Sequence, residues 1–289
     1  MRQEGAKPRL SFQVITDTHV TADPDHLYNR NFEQALRDIA ANAPDSVGIM
    51  HAGDVTDHGF PGEYEEFRRI GALHAEKLPP IYAATGNHDV GLGIWESRIG
   101  SFLMATGMSA AYHEHRIEGY SFLFLGTEQG LELFCHLSEE QLGWLDARLE
   151  EAASAGKPAF VFLHQPLKNT TAGSMEGQKW YGVTQDVELK AVLAKHPRAI
   201  LFTGHGHWEM EAARNAYDGE GKLPAMFNAA SVAYLWTDED IRREGSQGYY
   251  VEVYEDRVLV KGRDFAAGAW LESARYEVSL SSRASVSEA

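Results

Sequence analysis

Six short apolar runs, mostly β-branched or aromatic and several followed at once by a polar cluster, recur along the chain: Leu10 to Thr16, Val47 to His51, Ile81 to Thr85, Tyr120 to Gly126, Ala159 to His164 and Ala199 to Thr203. Each reads as a strand that delivers a loop. Between them lie segments with helical spacing, Asn31 to Asn42 (Phe32, Ala35, Leu36, Ile39), Glu63 to Leu78, Ser138 to Ala155 and Asp186 to His196. In the third, Ser138 followed by Gln141 has the pattern of a capping box. Continuous apolar strands alternating with helices predict an α/β protein whose central sheet is covered on both faces. Functional groups in such a protein gather outside the carboxyl ends of the strands.

The later sequence changes period. Residues 248–265 alternate as a strand pair around a turn at Glu255 and Asp256, which predicts a hairpin extending a sheet, with Arg275 to Leu280 as a further strand. The polar tail 281–289 is expected to be loosely ordered. With no repeat and no low-complexity linker, residues 1–280 are read as one domain.

Composition bounds the function. At 289 residues, 44% hydrophobic and 24% charged, the chain can bury a sizeable core. A formal net charge of -16 repels nucleic acid and anionic membrane surfaces, so an anionic ligand needs a local cation. The single cysteine, Cys135, excludes an internal disulfide framework. The opening MRQEGAKPRLSF has no apolar signal core, and no later segment offers the roughly 20 apolar residues of a bilayer span. The expected location is cytoplasmic, without membrane insertion.

Chemistry concentrates at five strand ends. They carry Asp17-Thr-His19, Gly53-Asp54-Val-Thr-Asp57, Gly86-Asn87-His88-Asp89, His164-Gln-Pro, and Gly204-His205-Gly-His207. Carboxylate, amide and imidazole donors without a thiolate suit Mn, Fe, Zn, Ni or Co. They also outnumber what one four-coordinate ion can use, which implies two ions. Such a pair, about 3.5 to 4 Å apart, needs a bridging group, for which a carboxylate with an oxygen toward each ion is the obvious choice. The glycines beside the donors are expected to permit tight turns with positive φ.

In order and local spacing these five blocks resemble the signature of the calcineurin-like metallophosphoesterase superfamily, and within it the class III cyclic nucleotide phosphodiesterases. The resemblance covers residues 17–207. It implies that Asp17, His19 and His207 bind one metal, that Asn87, His164 and His205 bind the other, and that Asp54 bridges them. His88 would stay off the metals and face the substrate. The implied metals are two divalent ions, or Fe(III) with a divalent ion. The implied fold is a four-layer α/β/β/α sandwich of two mixed β-sheets flanked by helices.

Departures narrow the class. His58 stands where protein Ser/Thr phosphatases have arginine, and Asp57 where purple acid phosphatases have tyrosine. The acidity and the lack of a basic stripe argue against duplex DNA. The expected reaction is hydrolysis of a small phosphodiester (a cyclic nucleotide, a nucleotide diester or a headgroup diester) by attack of a metal-bridging hydroxide on phosphorus. His88, oriented by Asp89, would protonate the leaving group. Two ionised carboxylates, a hydroxide and two divalent ions leave about one positive charge, which matches a diester monoanion.

A small-substrate phosphomonoesterase on the same site is the alternative. A non-catalytic scaffold is disfavoured by the intact donor set. Specificity is expected in the loops Asp23 to Asn29, Val90 to Trp95 and Gln165 to Val183, where Trp180 or Tyr181 could stack on a base or serve as core. The remaining histidines are expected to be structural or superficial, with His51 and His58 the leading exceptions.

Overall fold

The computed structural model describes residues 7–280 and 286–288. Among these, the strands form two large sheets. In the first, β1 (Leu10–Ile15), β2 (Ile49–His51) and β3 (Ile81–Ala83) are parallel neighbours. On the other edge of β1 the sheet continues antiparallel through β12 (Gln247–Val253), β13 (Arg257–Asp264), β14 (Ala269–Ser279) and β15 (Val286–Glu288). In the second, β5 (Tyr120–Phe124), β6 (Ala159–Phe162), β7 (Ile200–Thr203) and β9 (Ala225–Asn228) are parallel. Its edges are the antiparallel β4 (His113–Ile117) and β8 (Ala216–Tyr217). A small ribbon pairs β10 (Leu235–Trp236) with β11 (Arg242–Arg243).

Strand alternation sorts side chains between layers. Phe12 and Val14 of β1, Tyr249 and Val251 of β12, and Phe122, Phe124, Phe160, Phe162, Phe202 and Phe227 of the second sheet share one core between the sheets. The Phe162 ring is fully buried there, its centroid 4.7 Å from Phe124, 5.7 Å from Phe202 and 6.3 Å from Phe12. The intervening residues face outward. Ile15, Ile49 and Tyr250 pack under α1 (Leu27–Asn42), α2 (Pro61–Leu73) and α4 (Trp95–Thr106), while Leu123, Val161 and Leu201 pack under α5 (Glu139–Ser154) and α6 (Asp186–Leu193). The predicted four-layer α/β/β/α sandwich is the observed one. The remaining helix, α3 (Asn87–Val90), is one turn at the end of β3.

Local chemistry sets the helix ends. α1 buries Phe32, Ala35, Leu36 and Ile39, the stripe read from the sequence. Pro61 opens α2 with φ already helical, and the Glu63 carboxylate accepts from the His58 and Phe60 amides. At α5, Ser138 Oγ accepts from the Gln141 amide at 3.1 Å, as predicted. The reciprocal half of the expected box is different. The Gln141 side chain exchanges two hydrogen bonds with the Gly126 backbone, and Glu128 takes the Ser138 amide, so Gln141 ties the helix to the end of β5.

α4, β4, the β8 to β11 segments and the full length of β14 escaped sequence reading. α2 ends at Leu73, short of the predicted Leu78. Residues 286–288 correct the expectation of a loose tail by adding an edge strand to β14, and the rest of that tail lies outside the described residues. Among the described residues no helix is long and apolar enough to cross a membrane.

The phenylalanine stack gives a direct test. Phe162→Ala removes the ring that joins both sheets and is expected to cost about 3–5 kcal/mol, read from urea unfolding of variant and parent.

Candidate metal centre

The carboxyl ends of β1, β2, β3, β6 and β7 meet at one end of the sandwich and bring the eight predicted residues together. Their backbone is unusual. Asp17, His19, Asp54, His205 and His207 all have left-handed φ, at 52°, 42°, 52°, 68° and 54°. Such a conformation is uncommon in residues other than glycine and costs of order 1–3 kcal/mol each, so surrounding contacts must impose it. The sequence expectation had placed positive φ on the glycines, and this holds only for Gly53, at 99°. Gly204 and Gly86 serve close approach instead. A Cβ at Gly204 would stand 2.4 Å from Asp17 Oδ2, and one at Gly86 2.0 Å from Asp54 Oδ1.

Three donor clusters result, each with all its donor atoms within 4.8 Å of one another: Asp17, His19 and His207; His19, Asp54 and His88; and Asp54, His164 and His205. His207 Nε2 lies 2.9 Å from Asp17 Oδ1 and 3.1 Å from His19 Nε2. His164 Nε2 lies 3.1 Å from Asp54 Oδ2, and His19 Nε2 lies 3.7 Å from that same oxygen. Asp54 Oδ1 is already engaged by the His88 amide at 2.8 Å. Only one carboxylate oxygen therefore faces both histidine sets, where the sequence reading had assigned one to each side. His205 and His207 are not extended, with left-handed φ of 68° and 54°. The chain bends at each, and they enter different clusters.

The outer nitrogens of these histidines are held by oxygens, which fixes their tautomers. His164 Nδ1 bonds the Ala52 carbonyl at 2.9 Å, His207 Nδ1 the Tyr234 carbonyl at 3.2 Å, and His19 Nδ1 the Asp57 carboxylate at 3.1 Å. Asn87 donates its amide to the Glu132 carbonyl at 2.9 Å, turning Oδ1 inward, where Gln165 approaches at 3.4 Å. The Nε2 atoms of His19, His164 and His207 are thus aimed at the centre.

Electrostatics at the centre is set by burial against two carboxylates. Burial opposes charge on Asp17 and Asp54, yet the neighbouring histidines hold both below the ordinary carboxylate range. Burial likewise opposes charge on His19 and His164, but Asp17, Asp54 and Asp57 push His19 up to about 10, and Asp54 with Asp17 pushes His164 up to about 9. His205 falls to about 3 through burial and the His164 charge, and burial also lowers His207. Without metals, protons hold the site together.

Three residues support this arrangement from behind. The buried Asp89 carboxylate accepts from the amides of Val55, Thr56 and Gly86 at 3.0 to 3.1 Å and so ties the β2 loop to the β3 loop. It does not orient His88, as had been expected. That role falls to Asp57, whose carbonyl accepts from His88 Nδ1 at 2.6 Å. His51, an anticipated exception, is buried. Its Nδ1 accepts from the Gly53 amide at 3.2 Å, so Nε2 donates to Thr18 Oγ1 at 2.9 Å. His58, the other, is half-exposed and bonds Glu63 at the start of α2.

The rim holds residues that sequence reasoning missed. The Tyr234 ring lies 4.2 Å from His207 and stacks on Tyr28 at 5.6 Å. The Arg242 guanidinium lies 4.3 Å over Tyr234 and donates to Tyr28 Oη at 2.5 Å. This is a local cation of the kind the acidic chain requires. Its only sequence signal was an Arg-Arg pair in an otherwise acidic segment, and nothing there ties it to His207. Trp180 donates to the Pro166 carbonyl at 3.0 Å and packs against Gly182, a structural role, whereas Tyr181 reaches an open groove beside His205.

The donor set fits transition-metal ions. Asp17 Oδ1 and His164 Nε2 are fully buried and face other candidate ligands, His207 Nε2 at 2.9 Å and Asp54 Oδ2 at 3.1 Å, a clustering of buried donors that an ion between them would satisfy. The facing Nε2 atoms of His19 and His207 also need a Lewis acid or a shared proton between them.

Comparisons with known proteins agree with this reading. The family model described as calcineurin-like phosphoesterase matches residues 10–209. A probable cyclic nucleotide phosphodiesterase of Synechococcus sp. is 27% identical over 246 residues, 82% of this chain and 89% of that protein. The 3′,5′-cyclic adenosine monophosphate phosphodiesterase CpdA of Escherichia coli K12 is 26% identical over 212 residues, 70% of this chain and 71% of that one. Among solved structures, the yellow lupin purple acid phosphatase PPD1 shares the fold with a TM-score of 0.64 at 14% identity. That match covers 92% of this chain but only 53% of the lupin chain, so this chain spans about half its length. The chain belongs to the calcineurin-like phosphoesterase family and is a phosphoric ester hydrolase.

Proposed function

We propose that the chain hydrolyses a small phosphodiester at a pair of metal ions, with Asp17, His19 and His207 holding one ion, Asn87, His164 and His205 the other, and Asp54 bridging through Oδ2. The observation that carries this reading is the sharing of donors between clusters: His19 Nε2 and His164 Nε2 approach the same Asp54 oxygen at 3.7 and 3.1 Å. When bound, such ions supply Lewis acidity and lower the pKa of a bound water from about 15.7 towards roughly 7.

The chain's own groups do the rest. His88 has Nδ1 committed to the Asp57 carbonyl, so Nε2 is the nitrogen that can hand a proton to the leaving oxygen. The His19 and His88 rings lie 4.6 Å apart, which sets that proton donor on the His19 side of Asp54. Asp57 orients both rings, one through its carboxylate and one through its carbonyl. The relatives named as cyclic nucleotide phosphodiesterases support a diester over a monoester.

Elemental analysis, joined to turnover of bis-p-nitrophenyl phosphate, p-nitrophenyl phosphate and 2′,3′- and 3′,5′-cyclic nucleotides with Mn, Fe, Zn, Ni or Co supplied, tests the reading. About two ions per chain and diester turnover are expected. Monoester-only turnover would replace the diesterase with a phosphomonoesterase, and no turnover with any metal would favour a scaffold.

His88→Ala should lower kcat by about 10² to 10⁴-fold with metal content intact. Unchanged turnover would remove His88 from the reaction. His205→Ala and His207→Ala should each deplete a different ion, read by metal titration of the two variants.

Metal loading should also release protons. His19 and His164, raised to about 10 and 9, are protonated at pH 7.5 in the metal-free site and must become neutral to bind. Affinity therefore rises with pH towards those values and weakens below them. Calorimetric titration in buffers of different ionisation enthalpy should show release of about two protons, and proton uptake would contradict the assignment.

A further inference from the structure

A groove of about 570 Å³ opens beside His205. That volume is in the range of small-molecule sites. Its wall is aromatic. Trp208 and Trp236 are bridged in parallel, so their side chains stand next to each other on one face, and Tyr181 completes the lining. Trp208 is held in place from behind: a Cβ at Gly173, where φ is +82°, would stand 2.6 Å from its Cδ1, and one at Gly206 2.9 Å.

The charge at the groove is acidic, with Asp238 and Asp240 against the single ammonium of Lys179. The cations closest in sequence are committed elsewhere. Arg243 pairs with Glu209 at 2.5 Å, and Arg242 lies on Tyr28 and Tyr234 by His207. Asp238 gives one oxygen to the Ala213 amide at 2.7 Å and keeps the other. The groove therefore carries carboxylates and indoles beside His205, and the Arg242 guanidinium, engaged by Tyr28 and Tyr234, borders it across the ribbon from Trp236.

We propose that this groove receives an organic ammonium group, so that the substrate is the phosphodiester of an amino alcohol. The inference rests on the diesterase reading above and names its substrate class. Aromatic faces attract cations through the ring quadrupole, most strongly for tryptophan, and the carboxylates add a longer-range field. The same acidity disfavours a substituent carrying a second phosphate. Because His88, which serves the leaving oxygen, does not line the groove, the groove holds the substituent retained on phosphorus. Water adds to phosphorus, the bond to the other alcohol breaks, that alcohol leaves with a proton from His88, and the product is the amino alcohol's phosphomonoester.

The test compares p-nitrophenyl phosphorylcholine with its uncharged carbon isostere, p-nitrophenyl 3,3-dimethylbutyl phosphate, on the metal-loaded protein. A kcat/KM ratio of about 10 in favour of the cation is expected, falling to about 3 or less in the Asp238→Asn, Asp240→Asn double variant and in Trp208→Leu. An activity-independent readout accompanies it: choline should change the tryptophan fluorescence of the metal-loaded protein, and 3,3-dimethylbutanol at equal concentration should not. Equal turnover of both esters, or a ratio unmoved by the variants, overturns the ammonium site and leaves the diesterase reading standing. Failure to turn over either ester and bis-p-nitrophenyl phosphate as well overturns both.

Discussion

Two carboxylates, Asp17 and Asp54, are buried where the two sheets meet, and the end of the sandwich is built around their cost. Removing such a charge from water costs several kcal/mol unless it is met by hydrogen bonds and opposite charge. Thr16 Oγ1 and the His205 amide meet Asp17 Oδ2 at 2.6 and 2.9 Å, and the His88 amide meets Asp54 Oδ1 at 2.8 Å. Donating those amides inward is one reason the loops turn sharply, and the left-handed φ at five of the eight candidate residues belongs to the same arrangement. Asp17 Oδ1 and His164 Nε2 face the centre, where their neighbours are other candidate ligands.

The neighbouring groups divide the work of holding this shape. Asp89 joins two loops through backbone amides and the Thr56 hydroxyl, and His51 fixes Thr18 and Gly53 through its two ring nitrogens. Burial and the Asp54 charge raise Asp89 to about 6 despite those amide bonds, and burial lowers His51 to about 3, so both are shaped by the same low-dielectric interior as the candidate ligands. Neither could touch a metal with the atoms it has already committed. A titratable residue beside a ligand motif can thus be structural, and only its hydrogen bonds separate the two roles.

An acidic chain can act on an anion because its charge is not uniform on the scale of the site. At -16 overall the long-range field is repulsive, yet Arg242 at the rim lies on tyrosines and not on a carboxylate. Screening confines the global field to roughly 10 Å at moderate salt, so the local arrangement decides what is held. The groove beside His205 is lined instead by the carboxylates Asp238 and Asp240.

Much of this was legible in the chain. Strand period and helix spacing placed β1, β2, β3, β5, β6 and β7 and the stripe of α1, because alternation and the 3.6-residue repeat are local properties. The donor residues were legible because each sits at a strand end, where an α/β fold collects its chemistry. α4, β4 and the ribbon of β10 and β11 were not, since their short or polar segments become regular only against partners remote in sequence. The sequence by itself determined the α/β class, the candidate donor residues and the family, while its pattern suggested one central sheet and only the family resemblance implied the two packed sheets observed. The tertiary structure decided that one oxygen of Asp54 faces both histidine sets, that Asp57 and not Asp89 orients His88, and that Arg242 lies over Tyr234 beside His207 while Trp208 lines the groove at His205. Those relations depend on loops from different strands meeting at fixed distances, and no spacing along the chain encodes a distance between strands.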